Sequence, residues 1–126
     1  VAGRATRADV PLAAGWMTAV GITSEVRDLD GRTVTVVDPT GGTFTPAGDF
    51  DRLIPSDNPQ LPLLSALDPF GEWTVPFDRL RDLASEVDVL AGQATDGAES
   101  RGLARLAAQV ESCVGAVDQR LIFLGD

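Results

Sequence analysis

Histidine, lysine and tyrosine are absent from this chain of 126 residues, and cysteine occurs once. Without an imidazole there is no Ser-His-Asp triad, no Cys-His dyad and no histidine-ligated metal. The lone Cys113 can form neither an internal disulfide nor a thiolate zinc site, and a chain with one cysteine fits a reducing cytoplasm. We therefore predict no metal, no cofactor and no enzymatic activity, and a cytoplasmic location.

Long apolar runs and a basic surface are also missing. The best apolar candidate, Leu61–Leu67, is interrupted by Pro62 and Ser65, and a membrane span needs about 20 apolar residues. All ten basic residues are arginines against 19 acidic residues, which gives a net charge of −9. This charge repels nucleic acid and anionic membrane, and it attracts a basic protein partner. An acidic surface that only keeps the protein soluble explains the same charge.

The length and the 44% apolar content fit one globular domain. Residues 1–16 contain a short apolar segment broken by Pro11 and Gly15, so we expect an extension that adds little to the core. The single domain is then predicted to span residues 17–126. The sequence is compatible with a homodimer and does not favour one.

The first half of the chain has the pattern of an antiparallel sheet. Two β-favouring segments flank Asp30-Gly31, which predicts a hairpin with a type I′ turn and positive φ at both central residues. In Thr33–Val37 the alternation places Val34 and Val36 toward the core. A short strand is predicted at Thr43–Thr45 and a break at Pro46–Gly48.

The second half is dominated by two helical patterns. Apolar residues repeat in steps of three and four from Phe77 to Ala91, and again within a helix of roughly Glu99–Val117. The short connection predicts antiparallel neighbours. Arg120–Gly125 is predicted to be a buried strand, with a further strand at Trp73–Val75 beside it. The fold class is therefore α+β, with an N-terminal antiparallel sheet, two helices and a final strand.

Three motifs resemble sites but fit plain structural roles better. Cys113 falls on the apolar stripe of the second helix, as a core residue does. Asp28-Leu29-Asp30-Gly31 begins like a calcium loop, but the ligand positions that follow are wrong. Gly41-Gly42-Thr43 lacks a phosphate-binding pattern and is predicted to be a turn.

The secondary structure of Leu61–Leu67 is left open, because this segment fits either a strand or one helical turn.

Carboxylates are the remaining candidates for function. The pairs Asp49/Asp51 and Asp68/Glu72 are the only basis for a carboxylate-dependent hydrolase, and seven aromatic residues are few for a sugar cleft. Asp78, Asp82 and Glu86 lie four residues apart and predict an acidic row on one helix face. That row is either solvated, or neutralised by Arg101 and Arg105, or a docking face for a basic partner.

The motif PLLSALDPFGEWTV, with the later ending RLIFLGD, resembles a group of small bacterial proteins of uncharacterised function. The resemblance covers about residues 53–126 and implies no catalytic residues. Size and acidity also resemble those of immunity proteins of bacterial toxin systems. The positions that match the group of uncharacterised bacterial proteins are Leu63, Leu64, Asp68, Pro69, Phe70, Gly71, Phe77, Leu80, Phe123, Gly125 and Asp126.

The function that we predict is a non-enzymatic module that binds a basic protein partner by its acidic face, as an immunity or antitoxin-like inhibitor does. A small-ligand-binding or regulatory domain is the alternative, and a carboxylate-dependent hydrolase is the third. Asp68–Gly71 is expected to be mainly a turn into the next strand. The predicted partner-binding residues are Asp68, Phe70, Glu72, Asp78, Asp82 and Glu86.

Overall fold

The computed structural model describes residues 21–50, 53–54, 59–67 and 71–125. Their elements confirm the α+β prediction. Two 3₁₀ turns, at Leu64–Ala66 and Phe77–Arg79, lie before and after β6. The regular elements in chain order are β1 (Ile22–Asp28), β2 (Thr33–Val34), β3 (Val36–Val37), β4 (Thr43–Phe44), β5 (Pro46–Ala47), β6 (Glu72–Thr74), α1 (Leu80–Ala91), α2 (Gly97–Val114) and β7 (Gln119–Gly125).

The main sheet is antiparallel and has the order β2-β1-β7-β6, and β5 also pairs with β1, at Ser24 and Glu25, next to the residues that pair with β2. The longest pairing joins β1 to β7, from Ile22 opposite Gly125 to Asp28 opposite Gln119. The predicted neighbour relation of Trp73 and the last strand is confirmed, because Trp73 lies opposite Phe123. Strands β3 and β4 form a separate two-stranded sheet.

The hairpin at Asp30-Gly31 is confirmed, but its predicted turn type is wrong. Among the described residues in this loop only Gly31 has positive φ, at 84°. The Gly31 amide donates to the Asp28 carbonyl oxygen over 3.0 Å, and the Asp28 amide donates to the Arg32 carbonyl oxygen over 2.9 Å. These bonds indicate a three-residue loop that ends with a glycine in the left-handed region.

The break predicted at Pro46 is also wrong, because Pro46–Ala47 is β5 and pairs with β1. Proline is tolerated at the first position of a strand, where its missing N–H is not needed for the ladder. Val34 and Val36 face inward as predicted, yet they belong to different sheets because the chain changes sheet at Thr35. Leu61–Leu67 contains a 3₁₀ turn, which agrees with the helical alternative.

The two helices pack on each other, and α2 packs on β1, β3, β5 and β7. Their predicted stripes are largely confirmed, but Phe77 is 48% exposed, and Val117 lies beyond the helix end and is 75% exposed. Cys113 is fully buried, and burial raises the pKa of its thiol to about 11, so it is an inert core residue. The buried apolar residues of the two helices are Leu80, Leu83, Val87, Leu90, Leu103, Leu106, Val110 and Cys113.

Three further findings concern regions that the sequence analysis considered. Within the described ranges, neither α1 nor α2 has the length and hydropathy of a membrane-spanning helix. The predicted extension at residues 1–16 lies outside the described residues. So do Asp51, Asp68, Pro69 and Phe70, and with them one carboxylate of each pair considered for a hydrolase.

Candidate functional site

The predicted acidic row is not a row on one surface, because Glu86 is buried. Its side chain lies inside with 5% exposure, whereas Asp78 and Asp82 are exposed. The Glu86 carboxylate accepts the backbone amide of Leu63 at 3.1 Å and that of Leu64 at 2.9 Å. Glu86 therefore fixes the start of the 3₁₀ turn. The prediction that the Glu86 side chain is exposed to a partner is wrong.

A sequence signal for the burial of Glu86 exists. Glu86 lies three residues after Leu83 and four before Leu90, so it falls within the apolar stripe and not opposite it. A carboxylate in that position needs hydrogen-bond donors. The donors come from the start of the turn after Leu61, and the sequence gives no distance between that turn and α1.

The prediction that Arg105 of α2 neutralises the acidic row is wrong. The Arg105 guanidinium donates to the Asp38 carboxylate over 2.7 Å and lies 5.6 Å from the centre of the Phe44 ring. Asp82 instead lies 3.5 Å from Arg79, one turn earlier, and both side chains are more than half exposed. Such an exposed pair contributes little to stability, and it lowers the net negative charge of this part of α1.

Glu72, the remaining described member of the predicted set, lies beside an apolar groove. The groove has a volume of about 370 Å³ and opens between β6 and the 3₁₀ turn at Leu64–Ala66. Glu72 is exposed, and its carboxylate lies 4.0 Å from the Arg27 guanidinium. The residues that line the groove are Pro62, Leu63, Ala66, Leu67, Glu72 and Trp73.

Trp73 forms the most specific wall of this groove. Its indole stacks on the Phe123 ring, with centroids 6.1 Å apart and planes 16° apart, and Phe123 makes an edge contact with buried Phe50. The tryptophan is half-buried, so one part of the ring is fixed by the core and another faces the groove. Sequence reasoning assigned Trp73 to a strand but did not identify it as a candidate binding residue.

The described lining of the groove is mainly apolar. Among its described lining residues Glu72 is the one with a charged side chain, and Trp73 is the one aromatic. No group of three or more metal-ligating side chains that could hold a metal occurs within the described ranges. The groove is therefore suited to hold an apolar group, while the Glu72 carboxylate on the opposite face of the sheet can meet a cation of the same partner.

A second concave region lies at the start of α2. Asp49, Asp96, Ala98 and Glu99 line it, and its volume is about 200 Å³. The Asp96 carboxylate accepts the Glu99 amide at 2.8 Å as the N-cap of α2. This capping bond gives the carboxylate of Asp96 a structural role.

Comparisons of this chain with protein-family models, with curated proteins and with solved structures find no match. The resemblance drawn from the sequence motifs therefore stays a prediction.

Proposed function

We propose that this protein is a non-enzymatic, cytoplasmic module that binds and occludes a basic partner protein, as an immunity or antitoxin-like inhibitor does. The observation that supports the proposal best is the groove beside Trp73. The groove has an apolar, partly rigid wall, and the strand that carries Trp73 presents the exposed carboxylate of Glu72 on its other face, on a chain of net charge −9. Apolar anchors set affinity at protein interfaces, and long-range charge raises the association rate.

The groove replaces the helical acidic row as the centre of the proposed face. Glu86 supports the wall of the groove from behind by holding the amides of Leu63 and Leu64. Asp78 lies just before α1, and Asp82 lies in the first turn of α1. Both are exposed, so their charges add to the electrostatic field that a basic partner meets. The Arg79–Asp82 pair makes their contribution smaller than the three-carboxylate prediction implied.

The small-ligand alternative has one observation in its favour, which is the groove volume. About 370 Å³ lies within the range of small-molecule sites. Such sites, however, hold several polar groups directed at the ligand, and Glu72 is the one polar residue among the described lining. The Glu72 side chain lies on the opposite face of the sheet from Trp73, so a ligand here would be mainly apolar.

Affinity capture with matched variants tests the protein-binding proposal. The exposed Ala66 lies in the groove wall, and the exposed Ala91 ends α1 away from the described lining of the groove. Ala66→Arg fills the groove and adds a positive charge, and Ala91→Arg adds the same charge elsewhere. We expect the wild type and Ala91→Arg to retain a partner from lysate at about 50 mM salt and to release much of it at about 500 mM.

The same capture defines what contradicts the proposal. Ala66→Arg should retain at least roughly tenfold less partner than Ala91→Arg, because loss of an interface anchor costs about 2 kcal/mol or more. Equal retention by the two variants would remove the groove from the interface. Retention of every partner without salt dependence would remove the electrostatic part of the proposal.

A further inference from the structure

The sheet register shows how the backbone of β6 is used. The Val75 amide donates to the Leu121 carbonyl oxygen over 2.9 Å, and the Gly125 amide donates to the Gly71 carbonyl oxygen over 2.6 Å. Backbone groups of an antiparallel strand point alternately to its two sides. Residues 71, 73 and 75 therefore direct their amides and carbonyls toward β7, whereas Glu72 and Thr74 direct theirs away from it.

No described strand lies on the outer side of β6, which is the last strand in the order β2-β1-β7-β6. An unpaired strand edge is a template for one further strand. The groove beside Trp73 runs along this edge on the helix-facing side of the sheet. The side chains of Glu72 and Thr74 lie on the opposite side, and both residues are exposed.

We propose that an extended segment of the basic partner adds to the sheet as a strand antiparallel to β6. The inference rests on the proposed function and specifies how that function is carried out. Backbone hydrogen bonds to Glu72 and Thr74 would supply affinity, and pockets on alternate sides of the sheet would supply specificity. Every described pairing in this protein is antiparallel, which is the orientation that we assign to the added strand.

The register also specifies the chemistry of the added segment. The residue opposite Trp73 directs its side chain into the groove and is apolar. The residue opposite Glu72 directs its side chain to the other face of the sheet, where a lysine or arginine meets the Glu72 carboxylate. The partner segment is therefore an alternation of a basic, an apolar and a small polar residue, in register with residues 72 to 74.

Charge argues for this occupant over a second copy of the chain. Two copies would each carry a net charge of −9, and pairing of two β6 edges would bring their Glu72 carboxylates to the same short ladder. The Glu72 carboxylate has the Arg27 guanidinium at 4.0 Å, at the limit of an ion pair, and so it is available to a closer cation.

The probe for this inference is a capped synthetic peptide of sequence valine-threonine-leucine-lysine-valine-arginine. Run antiparallel to β6, it places leucine opposite Trp73 and lysine opposite Glu72. We expect amide NMR spectra of the full chain titrated with this peptide to shift at residues 71 to 75 and at the groove residues Leu63 and Ala66. Shifts confined to α1, or none at millimolar peptide, would overturn the inference.

N-methylation of single peptide amides tests the backbone bonds directly. The lysine opposite Glu72 uses its amide in the ladder, so N-methyl-lysine should weaken binding at least roughly tenfold, as the loss of one good hydrogen bond does. The leucine opposite Trp73 directs its amide away from β6, so N-methyl-leucine should bind within about twofold of the parent. Equal effects at the two positions would overturn strand addition.

Variants of the protein complete the test. Thr74→Pro removes an amide that points away from β7, so the β6–β7 ladder is retained, and Thr74→Val keeps that amide and serves as the control. We expect Thr74→Pro alone to lose peptide binding by roughly tenfold. Unchanged binding by Thr74→Pro, with an unchanged far-ultraviolet circular dichroism spectrum, would overturn the inference.

Two outcomes separate this inference from the proposed function. Salt-dependent capture of a basic partner that Ala66→Arg abolishes and Thr74→Pro leaves intact would retain the function and overturn strand addition. Hydrogen exchange on the free full chain is the other arm: the Glu72 and Thr74 amides should exchange faster than those of Trp73 and Val75. Slow exchange at all four amides would show that this edge is already covered, and a dimer lost on Thr74→Pro would assign it to a second copy.

Discussion

The two hairpin loops at residues 28–32 and 38–42 share one local design. In each loop an aspartate amide donates to the carbonyl oxygen four residues on over 2.9 Å, and its carbonyl oxygen accepts the amide of Gly31 or Gly41 at 3.0 Å. In each loop the aspartate carboxylate also accepts the amide two residues on at 2.9 Å. Aspartate favours such turns because its short side chain satisfies the turn amides.

The surroundings of the two loops differ. Asp38 is buried and its carboxylate accepts a hydrogen bond from Arg105 of α2, while Leu29 in the first loop is 66% exposed. The segment after the second loop also contacts α2, since Gln109 donates to the Thr45 carbonyl oxygen at 3.1 Å. Gln109 donates as well to the Ser24 carbonyl oxygen of β1 at 3.0 Å. The same turn is thus exposed at the surface in the first loop and packed against α2 in the second. Contact with α2 accounts for the difference.

The docking of α2 on this region should be broken most severely by Gly102→Ala. A Cβ at Gly102 would overlap the carbonyl oxygen of Gly48, a backbone atom that cannot move without shifting the loop. We expect the free energy of unfolding to fall by roughly 3 kcal/mol or more, as overpacking against backbone does. Urea denaturation followed by circular dichroism measures it.

A matched control uses the same change at Gly115, where a Cβ meets its nearest atom at an ordinary distance of 3.6 Å. Gly115→Ala should change the free energy of unfolding by about 1 kcal/mol or less. Equal losses at the two glycines would contradict the close approach of α2 to Gly48.

Gln109→Met should produce the second largest loss. Gln109 is fully buried, and its side chain also accepts the Ser24 hydroxyl at 2.5 Å, so the variant leaves several buried polar groups unpaired. We expect the free energy of unfolding to fall by about 2–3 kcal/mol. The exposed Glu111→Met on the same helix is the control, and an equal loss there would show that helix propensity, not the buried network, is responsible.

How far the sequence predicts this molecule can be judged from residues like these. The repeat of Leu103, Leu106 and Val110 predicts the inward face of α2, because burial of that stripe stabilises the helix. Gln109 lies three residues after Leu106 on the same side, as Glu86 lies three after Leu83, and both were missed as buried polar residues. Their partners are backbone groups far along the chain, and local periodicity carries no information about them.

The candidate site was predictable only in part, for the same reason. Trp73 beside the last strand follows from two β-favouring segments, and Glu72 was named as an acidic neighbour. The groove itself depends on where the turn after Leu61 packs, and that is set by the bonds from Glu86. The outward backbone groups of Thr74 depend on register, which a three-residue strand does not specify by its own sequence.

The charged contact of the second loop should make stability depend on pH. Hydrogen bonds from the Thr40 amide and hydroxyl, and the Arg105 guanidinium, hold the pKa of Asp38 below its ordinary value of 3.8. A carboxyl whose pKa is lower in the folded chain contributes stability that is complete above 3.8 and is lost as pH falls through the folded value. Asp38→Asn should therefore lower the melting temperature at pH 7 more than at pH 3.

The same change in the first loop sharpens the comparison. The Asp28 carboxylate accepts backbone amides of Asp30 and Arg32 and, among the described residues, no arginine side chain. Asp28→Asn should lower the melting temperature at pH 7 by less than Asp38→Asn does. A larger effect at Asp28, or a loss at Asp38 that does not shrink in acid, would contradict the docking role of Arg105.

The smallest expected effect exchanges the residues at the position where φ is positive in the second loop and not in the first. The second loop carries Gly42 with φ at 77°, and the equivalent Arg32 of the first loop has no positive φ. Gly42→Arg places an L-residue in the left-handed region and should cost about 1 kcal/mol, although a Cβ there meets no atom within 4 Å. Arg32→Gly should change stability by only a few tenths of that amount at an exposed loop position. Thermal unfolding of both variants decides the matter: equal losses would mean that composition, and not the backbone angle at Gly42, distinguishes the loops.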